Sequence, residues 1–509
     1  MKKLALLAIV VLPTFLFSQT IDWVKTTGDI LNDYGNFVQI DPSGSIYASG
    51  IAKGTCNFGS NTISSTDQFN FIAKYDSNGN NLWATKYDWA GNSPQGNNWY
   101  AFFFNDFKVS RSGNAVMVGT LNDNSLEWGD VAVFDSTGAV AFTYLVPVAS
   151  QITNADFDSS GNFFVSGSYI NPGSFFAKFS PTAQLWNINF TNSMGLSIKV
   201  TPDNGLLVEG IFTDSLNVPD HYSNTTTLYA TQGILGTDRF FAKYTNDGHL
   251  LWAHNYNESL KQANIAIDPA NNSVYFLTLD NNYYYMECID SSGNELWNNQ
   301  ITSYDNANGP WTPHIFVSNS KVYVVGPGAD IYAPAPYNLT IGTFFLARYD
   351  LNGNLTGQIT PQTTNVSVYG GDIAIANNSI ILTGGILGAG MWGNDSVTSK
   401  GSADFFLAKM AENNFDAANG VKTVEAAEGI KIYPNPSSGG FYVNFENVTN
   451  AQVEILITDV VGRNIYTETF QSTIGMVNHY VRTKNLDPGM YAVTLNPNGK
   501  SINTKIIIQ

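Results

Sequence analysis

Seven aromatic-rich segments recur along this chain, and their recurrence constrains the fold more than any single motif does. They begin at Phe69, Gly129, Ser174, Arg239, Tyr283, Thr343 and Asp404, and the first reads FNFIAKYDSNGNNLW. Equivalent positions fall at Lys74, Val133, Lys178, Lys243, Cys288, Arg348 and Lys409, spaced 45 to 65 residues apart. A second segment precedes each one, as in VQIDPSGSIYASG over 38–50, VSRSGNAVMVG over 109–119 and VTPDNGLLVEG over 200–210. Both types are two apolar runs joined by a tight Asn/Asp/Ser/Gly turn, which is the signature of a β-hairpin. Two hairpins make four strands, and a four-stranded repeat of this length is one blade of a β-propeller. Seven repeats therefore predict an all-β fold, a seven-bladed propeller over residues 19–411.

The last strand of most repeats carries a tryptophan at a fixed place: Trp83, Trp186, Trp252 and Trp297, with Phe142 in the second repeat. The sixth departs from this, with Leu355-Thr356-Gly357 at the matching position, and the seventh stops near Lys409-Met410 without an outer strand. Ile21-Asp22-Trp23-Val24-Lys25 reads as a detached copy of Leu82-Trp83-Ala84-Thr85-Lys86. Residues 20–26 are therefore expected to pair with the seventh blade and remove its open edge.

These units resemble the SBBP-type β-propeller repeat of exported bacterial proteins, a D-x-x-G-N-x-Y-x-x-G hairpin followed by D-x-F-x-x-K-Y-D-x-x-G-x-x-x-W. The resemblance implies a propeller with surface or interaction roles and fixes no single activity.

Both ends of the chain read as address signals. Lys2 and Lys3 precede an apolar run from Leu4 to Phe17, a signal-peptide layout with cleavage expected near Ser18/Gln19. No other stretch is apolar for the roughly 20 residues of a spanning helix, so the mature chain is expected to lack a transmembrane helix. Residues 412–428 are polar and poor in aromatics and read as a linker. From 429 to 509, short alternating strands separated by Pro, Gly and Asn predict a small, Ig-like β-sandwich. This tail resembles the type A C-terminal sorting domain of the type IX secretion system of Gram-negative, Bacteroidota-type bacteria. The matching residues are Tyr433-Pro434-Asn435-Pro436, the turn around Asp459, Gly462 and Arg463, the run through Gly489 and Tyr491, and the ending from Lys505. The resemblance implies recognition by the type IX secretion machinery, export to the cell surface or medium, and frequent removal of the tail.

The net charge is −17 with only 13% charged residues, and the tail holds six Lys and Arg against five Asp and Glu, so the acidity belongs to the propeller and linker. A basic footprint for phosphate is missing, which argues against nucleic acid as a partner. Recurrent turns such as Asp76-Ser77-Asn78-Gly79-Asn80 place hard oxygen ligands together, and calcium is the one cofactor they bring to mind. None supplies the carboxylate set of a calcium loop, and their place between paired strands favours side chains folded onto the turn backbone. No cofactor and no metal site is therefore predicted. Five scattered histidines, two distant cysteines, and no nucleophile elbow or phosphate loop leave no residue to nominate as catalytic.

The hairpin turns are short, while the connections between hairpins and between repeats are long. Short turns and long connections emerge on opposite faces of the disc, so ligand contacts are expected on the long-loop face. Its candidate residues are Trp89, Trp99, Tyr100, His221, Tyr222, Trp311 and Trp392, from loops such as 51–68, 84–106, 211–238, 298–313 and 385–403. Aromatics beside carboxylates or amides suit sugar rings or a protein surface. The leading expectation is an exported propeller that binds an extracellular protein or glycan. An extracellular polysaccharide hydrolase or lyase, with Asp residues converging on the central channel, is the first alternative, and a structural or adhesive surface component the second.

Overall fold

The computed structural model describes residues 21–415 and 431–508 apart from short segments, of which 88–100, 257–264, 304–313 and 328–343 are the longest. Trp89, Trp99, Tyr100, Trp311, Pro434, Pro436 and Gly462 lie outside the described residues, as do residues 1–20. The chain divides into two compact units, 1–418 and 419–509.

The larger unit is a seven-bladed β-propeller. Blades one to six are antiparallel sheets of four strands in chain order and blade seven is a five-stranded antiparallel sheet; their innermost strands are Tyr34–Ile40, Ala101–Val109, Ser150–Phe157, Ser193–Val200, Ile265–Ile267, His314–Ser318 and Thr363–Ala376. These inner strands succeed one another around the axis: 34–40 touches both 101–109 and 363–376, and 314–318 touches 265–267 and 363–376. Blades four and five meet through Leu207, Phe241, Ile265 and Phe276. Both faces of each central strand are covered by neighbouring blades, so these strands read as near-continuous apolar runs. Phe71, Tyr75, Phe176, Phe241 and Phe406 are all buried core residues.

The outer strand of the seventh blade comes from the other end of the chain. Ile21–Thr27 pairs antiparallel with Asp404–Ala411, and Trp23 stands opposite Lys409. The same register sets Trp83 opposite Lys74, Trp186 opposite Lys178 and Trp252 opposite Lys243. Sequence and register thus agree that this strand is the displaced fourth strand of a repeat.

The tryptophan has a role between blades. At Gly138, in the second hairpin turn of blade two, a Cβ would lie 2.7 Å from the Trp83 ring of blade one. Trp83 Nε1 also donates to Ser136 O at 3.2 Å in that turn. The relation repeats for Trp23 on Gly79, Trp252 on Gly293 and Trp297 on Gly353. Each glycine has φ between 77° and 87°, so backbone geometry and lack of space both exclude a side chain. Trp186 lies beside Gly248 in the same way, at 3.5 Å. The two repeats without tryptophan are those whose next blade offers no such glycine. Phe142 faces a blade whose turn reads Ser180-Pro181-Thr182-Ala183, and Gly357 precedes the blade whose second hairpin is broken by the ring closure. Near blade six, Phe415 packs on Tyr323 with ring centroids 5.6 Å apart and lies under the Arg348 guanidinium at 5.0 Å.

A buried carboxyl marks the junction of blades one and two. Tyr87 Oη donates to Asp130 Oδ2 at 2.8 Å, and Asp130 is fully buried. Burial pushes its pKa up to about 7 against the bonds from Tyr87 and Val131. The folded protein holds a proton here that the unfolded chain releases near pH 4, so this group's contribution falls as pH rises from about 4 to about 7. Asp130→Asn carries no such charge. Its stability relative to the parent is expected to improve by a few kcal/mol between about pH 4 and about pH 8 in urea titrations. An equal difference at both pH values would contradict this.

The smaller unit is a sandwich of a three-stranded and a four-stranded sheet around Phe441, Val443, Ile455, Val493 and Ile506. Asn435 explains one motif position: its Nδ2 donates to Lys505 O at 3.1 Å and its Oδ1 accepts from Ile507 N at 3.0 Å. The start of the domain is thereby bonded to its last strand. Asp459 accepts from the Arg463 backbone N–H at 2.9 Å and from its Nε at 2.6 Å, closing the Asp459–Arg463 turn. Tyr491 Oη donates to Asp487 O at 2.8 Å, which braces the turn through Gly489.

Candidate functional site

Charged side chains converge on the channel from five of the seven blades. Asp106 and Lys108 come from blade two, Asp156 from blade three, Lys199 from blade four, His314 from blade six and Asp372 from blade seven. All but His314 follow a β-bulge that recurs in the inner strands, after Phe104, Ile152, Met194 and Gly370. A bulge re-aims the residues that follow it, and here it turns them toward the next blade.

Most of these polar groups are spent on joining blades. Asp106 Oδ2 accepts from Ala155 N at 3.0 Å and from the Asn154 amide, while Asn154 Oδ1 accepts from Ile198 N at 3.0 Å. Asp156 Oδ2 accepts from Val200 N at 2.8 Å, and Asp372 Oδ2 accepts from Val38 N at 3.1 Å across the ring closure. The bulged residues do the same with carbonyls: Asn105 Nδ2 donates to Ile152 O at 2.6 Å and Thr153 Oγ1 to Leu196 O at 2.6 Å. Where a glycine stands at the bulge, the backbones approach directly, a Cβ on Gly371 falling 2.3 Å from Gly35 O.

The charges then balance one another. Lys108 pairs with Asp106. Burial lowers the Lys108 pKa, but Asp106, Asp156 and Asp372 outweigh it and leave it raised. Burial, followed by the like charge of Lys108, pushes the Lys199 ammonium down, and burial pushes Asp156 up. For Asp372 the burial effect is overcome by His314, whose Nδ1 lies 3.3 Å from Oδ1, so this carboxyl stays below its ordinary value. Asp106, Asp156 and Asp372 thus do converge, as the enzyme alternative requires, yet each has an oxygen committed to a backbone N–H of the following blade.

The other candidate region is on the rim, and it revises the reading of the loops. Segments 51–68, 211–238 and 385–403 are not open loops. They contain β-hairpins: Ile46–Asn57 with Thr62–Tyr75, Ser215–Pro219 with Thr225–Tyr229, and Ser379–Trp392 with Asp395–Thr398. Their apolar residues wedge between adjacent blades. Leu216, Val218 and Leu228 join the blade-three residues Phe176 and Phe190 and the blade-four residue Phe240, while Phe58 packs 4.8 Å from Phe71 and 6.2 Å from Phe405. Trp392, nominated as a ligand contact, is instead 1% exposed and packs edge-on against Phe406 at 5.0 Å. Its apolar area seals blade seven, so it offers no surface to a ligand.

Folding back also moves His221 and Tyr222 away from the long-loop face. The tip of the blade-four hairpin lies against the short turn of its own blade, where His221 N donates to Gly248 O at 3.0 Å. Asp220 Oδ1 shapes the tip by accepting from Tyr222 N and Asn224 N, each at 2.8 Å. His221 stacks on Trp186 with centroids 5.3 Å apart, and Tyr222 stacks on His249 at 3.8 Å and 13°. Tyr222 Oη approaches Asp247 Oδ2 at 3.4 Å. Tyr222 remains 50% exposed, so these residues form an open aromatic platform beside carboxylates.

The remaining sites have local roles. Asp76, Asp158, Asp290 and Asp350 each accept two backbone N–H groups of their own turns, at 2.8–2.9 Å. Cys56 and Cys288 are both buried and free, and burial pushes their thiols up to about 12 and about 11. A cavity of about 470 Å³ opens where Val24–Thr27, Asn57–Ser60 and Gly79–Asn81 meet.

Fold and tail together define an exported β-propeller carrying its own secretion signal. The family described as secretion system C-terminal sorting domain matches residues 431–509, which identifies this segment as a type IX sorting domain and assigns the chain to the cell surface or the medium. No curated protein matches the chain in sequence. Solved structures similar to it include the WD40 domain of Toxoplasma gondii coronin, at 11% identity and a TM-score of 0.42, covering 77% of this chain and 88% of that one. A catalytically inactive virginiamycin B lyase from Staphylococcus aureus matches at 10% identity and a TM-score of 0.39, covering 76% and 99%. The Pan2 WD40 domain of Neurospora crassa matches at 9% and 0.37, covering 74% and 89%. These likenesses are too distant to bear on function, and the propeller rests on the strand pairing and ring order above.

Proposed function

We propose that the propeller is a binding module for an extracellular protein or glycan, delivered by its sorting domain and acting without transforming its ligand. The observation that carries this reading is the use of the channel carboxylates. Glycoside hydrolysis needs two carboxyl groups facing a shared bond, one to donate a proton and one to attack or activate water. Asp106, Asp156 and Asp372 each point an oxygen at the next blade's backbone, which suits rigid assembly better than proton transfer. A rigid disc with aromatic and polar groups on its rim suits recognition. The test is to incubate the full secreted chain with immobilised polysaccharides and extracellular proteins, assaying retention and release of reducing ends or unsaturated products together. Retention without product is expected. Product formation that is lost in Asp156→Asn, with the thermal midpoint kept, would replace this reading with the hydrolase or lyase.

A further inference from the structure

Resting on the reading of the propeller as a binding module, we infer that the Tyr222–His249 platform on the rim of blade four is a carbohydrate site for neutral or amino sugars. One face of the Tyr222 ring is covered by His249 at 3.8 Å and the His221 ring meets it at 5.2 Å and a steep angle, yet half of the residue stays exposed. A flat aromatic face held in place by stacking and by the tip hydrogen bonds is prepared to receive the C–H face of a pyranose ring at little ordering cost. The anchoring is extensive: His221 N is bonded to Gly248 O, its ring lies on Trp186, and the hairpin beneath is fixed by Leu216 and Val218 in the core.

The surrounding groups select the sugar class. Asp247 is exposed beside the Tyr222 hydroxyl, and Asp220 lies 3.8 Å from His249 Nδ1. A bond from the Thr245 hydroxyl holds the Asp247 carboxyl below its ordinary range. Asp220 is pushed up by burial and pulled down further by Asn224 and Tyr222 N–H donors. Asp247, exposed and ionised at neutral pH, can therefore accept from sugar hydroxyls or an ammonium group, while Asp220, buried with both oxygens bonded within the tip, adds a second fixed negative charge; together they repel uronates and sulfated sugars. Blades one and seven carry hairpin extensions too, but among the described residues only blade four stacks a tyrosine on a histidine, and only its inserted hairpin forms a sheet of its own. The site is thus built on an addition to the repeat.

The experiment titrates the full secreted chain with cellohexaose, mannohexaose, chitosan hexamer and, as the acidic comparison, hexagalacturonate, by calorimetry and by histidine and tyrosine side-chain NMR. Binding of at least one of the first three is expected, with resonances of Tyr222 and His249 shifting and hexagalacturonate silent. Tyr222→Ala is expected to weaken binding tenfold or more. Tyr222→Phe keeps the ring and is expected to retain it, and both variants should melt with the parent. Silence toward all the neutral and amino sugars overturns the site. Binding that survives Tyr222→Ala unchanged also overturns it, while leaving the propeller a binding module with its site elsewhere.

Discussion

A chain lacking residues 21–27 is expected to lose several kcal/mol of stability and to aggregate near neutral pH. The strand Asp404–Ala411 would become an open edge carrying Phe406, Leu407 and Ala408, all fully buried in the intact ring. Unpaired edges of this kind template association with other chains. The lost backbone ladder contributes about 1 kcal/mol per hydrogen bond, to which burial of Ile21 and the seat of Trp23 on Gly79 add more. A fall of roughly 10 °C or more in the melting temperature follows from that sum. A synthetic peptide of residues 20–28 added to the truncated chain should restore much of it, because the seam is a strand addition with a vacant partner. A truncated protein that stays monomeric with an unchanged melting temperature would show that the ring holds without its closing strand.

Second in size is the coupling of the outer-strand tryptophan to the turn glycine of the following blade. Gly138→Ala is expected to cost about 2–3 kcal/mol, since φ is 87° and the new Cβ falls 2.7 Å from Trp83. Trp83→Ala should cost about 2–3 kcal/mol, losing ring burial and the bond to Ser136 O. Combined, the two should cost roughly 1 kcal/mol less than their sum, because the clash disappears with the indole while the φ penalty remains. Urea denaturation of the four proteins measures the cycle. Strict additivity would mean that the two residues do not meet as described.

Much of this fold can be read from residue spacing alone. The turn chemistry at Asp76-Ser77-Asn78-Gly79, the aromatic run before it and the tryptophan after it define two hairpin halves, and their recurrence counts the blades. The same spacing identifies Trp23 as a displaced outer-strand residue, and the register opposite Lys409 is the one that the other repeats use. The candidate site was less legible. Trp392 and His221 both sit in segments long enough to be loops, but Trp392 is in the core and His221 lies on the opposite side from the one expected. A signal was present in the sequence: Leu216 and Val218 alternate with polar residues and are followed by Thr225–Tyr229, a pattern for a hairpin. Asp106, Asp156 and Asp372 are not legible as a group, because an isolated Asp in a strand looks like any other until a bulge aims it across a blade boundary.

The sequence by itself determined the number of blades, the strand that closes the ring and the sorting domain that exports the protein. These are properties of local periodicity, turn chemistry and ordered motifs, each contained within a few tens of residues. Only the tertiary structure decided where the insertions go and what the channel carboxylates do. The hairpins of blades one, four and seven fold back because Phe58, Val218 and Trp392 gain more by burial between adjacent blades than by extending into water. The channel carboxylates are taken up by backbone N–H groups brought near by the ring, since a buried donor left unpaired is costly. Both outcomes depend on neighbours distant in sequence, and spacing along the chain does not encode which side of a blade those neighbours occupy.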